Sequence, residues 1–390
     1  MDECQKQKPA HEKAGHRMNV AYPQQDFETD LAAIQGFADL LKTGFQNPEG
    51  IRGTVKLHVP ELPEHGFIAR YGDKLYIEWD DLDRETDTFV SMPIDTIKRI
   101  FKEFEYLDFR DPSIIGTMEF SGNLDYANHL GKSCLRPSNF TLERFKSVGQ
   151  LYRDKGYSDL TGVEYLHQPT QRQILEVMQE SRPVVITGLE PSPPCKDWTI
   201  DKLAKTYGDA IVRVRSATQK QNMRDFVDEL KDFMANPYDD MVEGFVKPYT
   251  EGATMPAEMW PDFGPLFFDR EDFIPPQLWL GAVPTHIPTS NLHRDPHCGF
   301  LLQVIGRKRL DLYSADQADL IYPHKSYNNY QPCWFSPEDP DYAVYPKAEQ
   351  AKCLSVTLNP GEMIVQPAGW FHQVYALDSP NMSVSYFWRY

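Results

Sequence analysis

The chain has 390 residues, 41% hydrophobic and 13% aromatic, enough apolar material for a real core and too much for wholesale disorder. Its formal net charge of −17 argues against nucleic acid as a partner, since bulk phosphate attraction needs a basic surface, and favours a soluble protein with a basic peptide partner. The 6 cysteines lack C-x-x-C spacing, which excludes a zinc ribbon or a disulfide framework and fits free thiols in a reducing compartment.

Residues 1–26 are rich in Lys, Gln, Glu and Pro and are expected to form a disordered tail. They lack the apolar stretch of a secretory signal, and no apolar run approaches a membrane span, so a cytoplasmic or nuclear protein is expected. Residues 27–120 read as a small α+β domain of unknown role. Leu31, Ile34, Phe37, Leu40 and Leu41 have helical spacing within Phe27–Phe45. Thr54–Val59 is a strand, and Phe67–Trp79 is a hairpin turned at Gly72-Asp73. Pro93 opens a helix with Ile94, Ile97, Ile100, Phe101 and Phe104 on one face. This unit carries no catalytic constellation. Docking a partner, extending a substrate groove and forming a homodimer are all open to it.

Residues 121–164 read as a helical connection, with Phe140–Tyr152 its clearest helix. From residue 165 the pattern changes. Gln171–Gln179 is helical, Arg182–Leu189 is a buried strand ended by Gly188, Trp198–Tyr207 is a helix and Ile211–Arg215 a strand. Pro237–Pro276 is rich in proline and aromatics and is expected to be irregular and to cover the mouth of a barrel. Leu301–Tyr313 reads as two strands turned at Gly306. Val356–Pro367 reads as strand, Pro-Gly turn, strand, and Met382–Trp388 as a closing strand. Such β-branched and aromatic runs, punctuated by Gly and Pro, predict an antiparallel barrel or sandwich.

His293 and Asp295 form an H-x-D pair, and residues two apart on a strand point to one face. His372 lies far enough along the chain for a curling sheet to return it to them. Two imidazoles and one carboxylate on one side of a divalent iron leave three positions open, the pattern of a facial triad.

The segments RPVVITGL (182–189), Trp198, LHRDPHCGFLLQVIGRKRLDLYS (292–314), LNPGEMIVQPAGWFHQVYAL (358–377) and SVSYFW (383–388) together resemble the JmjC-type, cupin-like oxygenases. The resemblance is to the branch that contains the asparaginyl hydroxylase of hypoxia-inducible factor, and it covers residues 165–390. It implies a mainly β fold: a double-stranded β-helix (jelly-roll, or cupin) with flanking helices, here preceded by the small α+β domain. It implies Fe(II), 2-oxoglutarate and O2, with His293, Asp295 and His372 as metal ligands. Lys308 and Ser290 match residues that hold the distal carboxylate of 2-oxoglutarate, and Ser385 and Tyr249 match weaker cofactor contacts.

The chemistry of the residues agrees, because a dicarboxylate needs a cation at its far end. On a strand Arg307 and Arg309 point opposite to Lys308, and either arginine is the alternative anchor. Gly299 departs from the pattern, since relatives often carry Asn there, and Phe387 stands where many carry Trp. Arg294, His297, Trp279 and Trp370 are candidates for the substrate entrance. The implied reaction is hydroxylation of a protein or peptide side chain, with succinate and CO2 as co-products. The alternatives are histone lysine demethylation by the same chemistry and a non-catalytic cupin-like scaffold.

Overall fold

The computed structural model describes residues 27–103, 107, 109, 112–157, 160–189, 197–214, 220–235, 248–263, 267–328 and 330–389. The tail expected at 1–26 lies outside them. The N-terminal unit runs α1 (Asp30–Gly44), β1 (Thr54–His58), β2 (Phe67–Tyr71), β3 (Leu75–Glu78), β4 (Thr88–Ser91), α2 (Ile94–Lys102), α3 (Pro112–Ile115), β5 (Glu119–Gly122) and α4 (Leu124–Lys132). The long helix α5 (Asn139–Lys155) follows. The remainder runs β6 (Glu164–His167), α6 (Gln171–Glu180), β7 (Val184–Thr187), α7 (Ile200–Tyr207), β8 (Ile211–Arg213), β9 (Lys220–Asn222), α8 (Met223–Ala235), β10 (Ala253–Thr254), α9 (Trp260–Phe263) and β11 (Gln277–Gly281). It ends with β12 (Pro288–Arg294), β13 (Gly299–Ile305), β14 (Lys308–Tyr313), β15 (Gln331–Pro332), β16 (Leu354–Leu358), β17 (Met363–Gln366), β18 (Phe371–Ala376) and β19 (Asn381–Phe387).

Local chemistry sets several of these boundaries. Thr29 caps α1 by accepting from the Ala32 amide, and Thr170 with Gln173 closes a capping box at the start of α6. Gly306 turns β13 into β14 at φ +68, a conformation a β-carbon would resist. The first unit is a five-stranded sheet in the order β3-β2-β1-β4-β5. Ile34, Phe37 and Leu41 of α1, Ile97 and Ile100 of α2 and Leu130 of α4 bury against it in one core.

The second unit is two facing sheets, seven strands in the order β10-β11-β19-β13-β17-β7-β6 and five in the order β15-β12-β18-β14-β16. This is the double-stranded β-helix. Leu301, Ile364 and Val185 of the larger sheet meet Leu310, Leu312, Val356, Leu358 and Val374 of the smaller one between them. The outer face of the larger sheet is covered by α6, α7 and α8. Helix α8 has no counterpart in the sequence reading. Its Met223, Phe226, Val227 and Leu230 have the i, i+3, i+4, i+7 spacing that marks a buried face.

Within the described part of 237–276, Tyr249 and Gly252 lie against the Trp279 ring, while the larger apolar residues turn elsewhere. Met255, Met259, Phe263 and Phe273 pack into the core behind the larger sheet, because large apolar side chains gain more there than at a wet rim.

Candidate metal centre

Strands β12 and β18 are antiparallel neighbours with His293 directly opposite His372. Their ring centroids are 4.3 Å apart. Asp295 follows the last residue of β12, and its backbone carbonyl accepts from the Gly369 amide at 2.9 Å, which ties the two strand ends together. Its Oδ2 lies 3.8 Å from His293 Nε2 and 3.6 Å from His372 Nε2. One ligand atom from each of the three residues falls within 4.8 Å of the others.

The second nitrogen of each ring is already committed. His293 Nδ1 meets the Asn291 carbonyl at 2.7 Å, and His372 Nδ1 meets the Trp370 carbonyl at 3.3 Å. A carbonyl only accepts, so each Nδ1 carries the proton and each Nε2 lone pair is left for a metal. Burial, with the neighbouring His293 ring, holds His372 neutral far below its ordinary pKa. Burial also raises the Asp295 carboxyl, against a pull down from His293 and His297. A desolvated carboxylate between two imidazoles whose Nε2 atoms face it is a donor set that a divalent cation fits.

Lys308 points into the space between the sheets. It is 1% exposed, and its Nζ donates to the Ser383 hydroxyl at 2.6 Å. The Trp279 ring lies 5.7 Å away. Among the described residues no carboxylate pairs with it, and burial lowers its pKa from 10.5 to about 7. Its neighbours point out. Arg307 makes a two-pronged pair with Asp378 on the surface, and Arg309 lies over Tyr375 and beside Asp311. Lys308 stands opposite Ala376 and Leu312 opposite His372, so the lysine sits four residues along the strand from the metal set, about 13 Å. A lysine side chain and a short dicarboxylate together span that gap.

Ser290 is opposite Val374, whose side chain belongs to the core between the sheets. Counting by twos would put Ser290 and His293 on opposite faces of β12. A bulge between them sets three residues of β12 against two of β18 and returns both to the inner face. Ser385 also faces inward and accepts from the Trp279 indole at 2.9 Å. Tyr249 is bridged to Gly281 at the end of β11. Its hydroxyl is buried without a hydrogen bond of normal geometry, and its neighbour Thr289 donates instead to the Val374 carbonyl at 3.0 Å.

Two of the entrance candidates turn out to be packing. Arg294 is 9% exposed, lies between the rings of Phe145 and Phe371 and donates to Gln331. Trp370 is buried and donates to the Ser181 carbonyl at 3.0 Å. For Arg294 this follows from alternation, since it stands one residue from His293 and so points to the other face, whereas Trp370 lies just before β18 and is fixed by its bond to Ser181. His297 stacks on Phe140 and bonds the Trp388 carbonyl, while Trp279 lines the inner space. At Gly299 a β-carbon would stand 3.3 Å from the Phe387 ring, so Phe387 occupies the room an asparagine would need.

The sequence reading missed two residues. Ser383, which Lys308 contacts, shows only as the inward partner of Ser385 in alternation. Tyr330, whose ring stands edge-on to His293 at 5.4 Å, lies in a loop with no periodicity to mark it.

Residues 169–390 match the family model described as a cupin-like domain. Lysine-specific demethylase 8 of Xenopus tropicalis is 26% identical over 240 residues, covering 58% of this chain and 53% of that protein. HSPB1-associated protein 1 of Rattus norvegicus is 24% identical over 240 residues, covering 54% and 49%. tRNA wybutosine-synthesizing protein 5 of Mus musculus is 25% identical over 256 residues, covering 58% and 78%. The chain spans about half the length of the first two relatives.

Proposed function

The chain belongs to the cupin-like, JmjC-type family, and on that footing we propose that it is an Fe(II)- and 2-oxoglutarate-dependent oxygenase that hydroxylates a protein or peptide side chain. The observation that carries this reading is Lys308. Among the described residues this buried ammonium bonds a hydroxyl and meets no carboxylate, which is costly unless an anion joins it, and it shares one inter-sheet space with an imidazole and carboxylate donor set. A non-catalytic scaffold has use for neither.

In this reading His293, Asp295 and His372 hold Fe(II). Lys308 holds the far carboxylate of 2-oxoglutarate, with Ser383 and Ser290 beside it. Iron, 2-oxo acid and dioxygen together supply the oxidation of an otherwise inert C–H bond. The protein's share is placement. The Asn291 and Trp370 carbonyls fix the imidazole tautomers, Trp279 and Val374 exclude water from between the sheets, and the open side at Asn291 and Tyr330 admits the substrate. Proteins named lysine-specific demethylases stand among the relatives, so loss of a methyl group by the same oxidation is the second reading. The relative named for wybutosine synthesis on tRNA suggests an RNA substrate, which the net charge of −17 opposes.

The test incubates the purified protein with Fe(II), 2-oxoglutarate, air and a library of basic peptides, and follows peptide mass. The expected result is a gain of one oxygen that requires 2-oxoglutarate. Loss of methylene mass from methylated peptides alone would favour the demethylase. No peptide product and no succinate would reject both enzyme readings. His293→Ala and Asp295→Ala are each expected to abolish turnover while the thermal midpoint stays near that of the unaltered protein.

A further inference from the structure

Between the N-terminal unit and the barrel lies a cleft of about 800 Å³, within the range of ligand sites. It borders the metal set through two neighbours of His293. Asn291, whose carbonyl holds His293 Nδ1, and Tyr330, whose ring packs on His293, both line it. Its far wall is apolar and comes from the N-terminal unit through Ile115, Met118 and Phe120. Ile115 is 42% and Phe120 37% exposed among the described residues, two large apolar side chains on one cleft wall.

Phe120 sits on β5, the outer strand of its sheet, and all four residues of β5 are exposed. Among the described residues no strand pairs with its outer edge. An open edge beside an apolar cleft is how a sheet captures an extended peptide. The backbone supplies the hydrogen bonds, and alternate side chains enter the cleft. Charge points the same way. Glu119 on β5 and Glu49 and Asp125 on the cleft wall are acidic against Lys132, on a chain of net charge −17.

Resting on the oxygenase reading above, we infer that the cleft is the substrate-docking site for an extended, basic segment of a partner protein carrying one large apolar residue. The segment adds to β5 as a strand and seats its apolar side chain against Ile115, Met118 and Phe120. A residue at fixed distance along it then passes Asn291 and Tyr330 to the metal. The N-terminal unit is thus half of the substrate site.

The test uses the full chain with Mn(II) in place of Fe(II), so that binding is read without turnover. The probes are short labelled basic peptides in which one Leu, Met or Phe is moved along the sequence, and a single-stranded oligouridine. The expected result is tight binding of peptides with the apolar residue at one position. Phe120→Asp should weaken it about tenfold or more, as loss of a buried apolar anchor does, and Phe120→Leu should restore it. Methylating the peptide's backbone nitrogens should weaken binding at every second residue. Ile115→Asp provides a second reading should Phe120→Asp lower the thermal midpoint.

Peptides that bind the Asp variants as tightly as the unaltered protein, or feel no alternation, overturn the docking site. So does failure of every peptide, or binding of the oligouridine alone. If such peptides still gain oxygen with Fe(II), the oxygenase reading survives without the docking site. Peptides that bind as expected but gain no oxygen leave the docking site standing and sink the oxygenase reading.

Discussion

Lys308 carries a conflict that an anionic ligand would relieve. Its ammonium is desolvated and, among the described residues, meets no carboxylate, so its pKa falls to about 7. The unfolded chain keeps that proton up to the ordinary value of 10.5. The unfolded state therefore binds more protons between these values, and the stability of the ligand-free protein rises with pH through that window. The expected slope from this residue is up to about 1.4 kcal/mol per pH unit. Subtracting the profile of Lys308→Met, read by chemical unfolding, isolates it. Identical profiles would mean the lysine is neutralised by something else. Lys308→Ala is expected to raise the 2-oxoglutarate requirement by about 10- to 100-fold, the worth of a charged hydrogen bond, whereas Arg307→Ala leaves it unchanged. Titration of 2-oxoglutarate turnover reads both. The reverse outcome would move the anchor to the arginine. That Lys308 rather than its neighbours faces inward was legible in the sequence by alternation. Its lack of a counterion was not, because that depends on what the opposite sheet presents.

At the scale of elements, β-branched and aromatic runs broken at Gly306 and Gly361 located the strands on either side of those turns, β14 with Lys308 among them, while the strands that carry His293 and His372 were suggested only by the H-x-D spacing and the long return to His372. Alternation alone failed at β12. The bulge between Ser290 and His293 leaves no mark in composition, yet it decides which face each residue joins. Gly281 shows the same limit. A β-carbon there would stand 2.1 Å from the Pro248 carbonyl oxygen, so glycine lets the segment carrying Tyr249 cross close behind β11. Gly281→Ala is expected to push that segment away, lowering the thermal midpoint and weakening 2-oxoglutarate binding together. A midpoint that falls with cofactor affinity intact would separate Tyr249 from the site. Helix α8 escaped the sequence reading although its buried stripe has a clear helical period.

Across the whole molecule the two units are tied by specific bonds rather than by a loose linker. Ser326 donates to the Gly44 carbonyl, Asn328 to that of Leu107 and Tyr345 to the Glu49 carboxylate. The aromatic stack of His129, Trp334 and His324 crosses the same boundary. Such an interface is expected to couple the units into one cooperative unfolding transition by calorimetry, and two resolved transitions would show them to be independent. The sequence suggested an α+β unit before the barrel. It gave no sign that the unit packs against the barrel, since pairings between residues more than two hundred positions apart have no periodic signature.

The metal centre itself is tested most directly by adding Fe(II) and then 2-oxoglutarate to the protein without oxygen and recording the visible spectrum. A 2-oxo acid chelated to ferrous iron produces a charge-transfer absorption. The band is expected to saturate at one iron per chain, to vanish in Asp295→Ala and to need far more 2-oxoglutarate in Lys308→Ala. A protein that binds both reagents at saturation and shows no band, or a band indifferent to Asp295, would contradict the assignment of His293, Asp295 and His372 as the iron site.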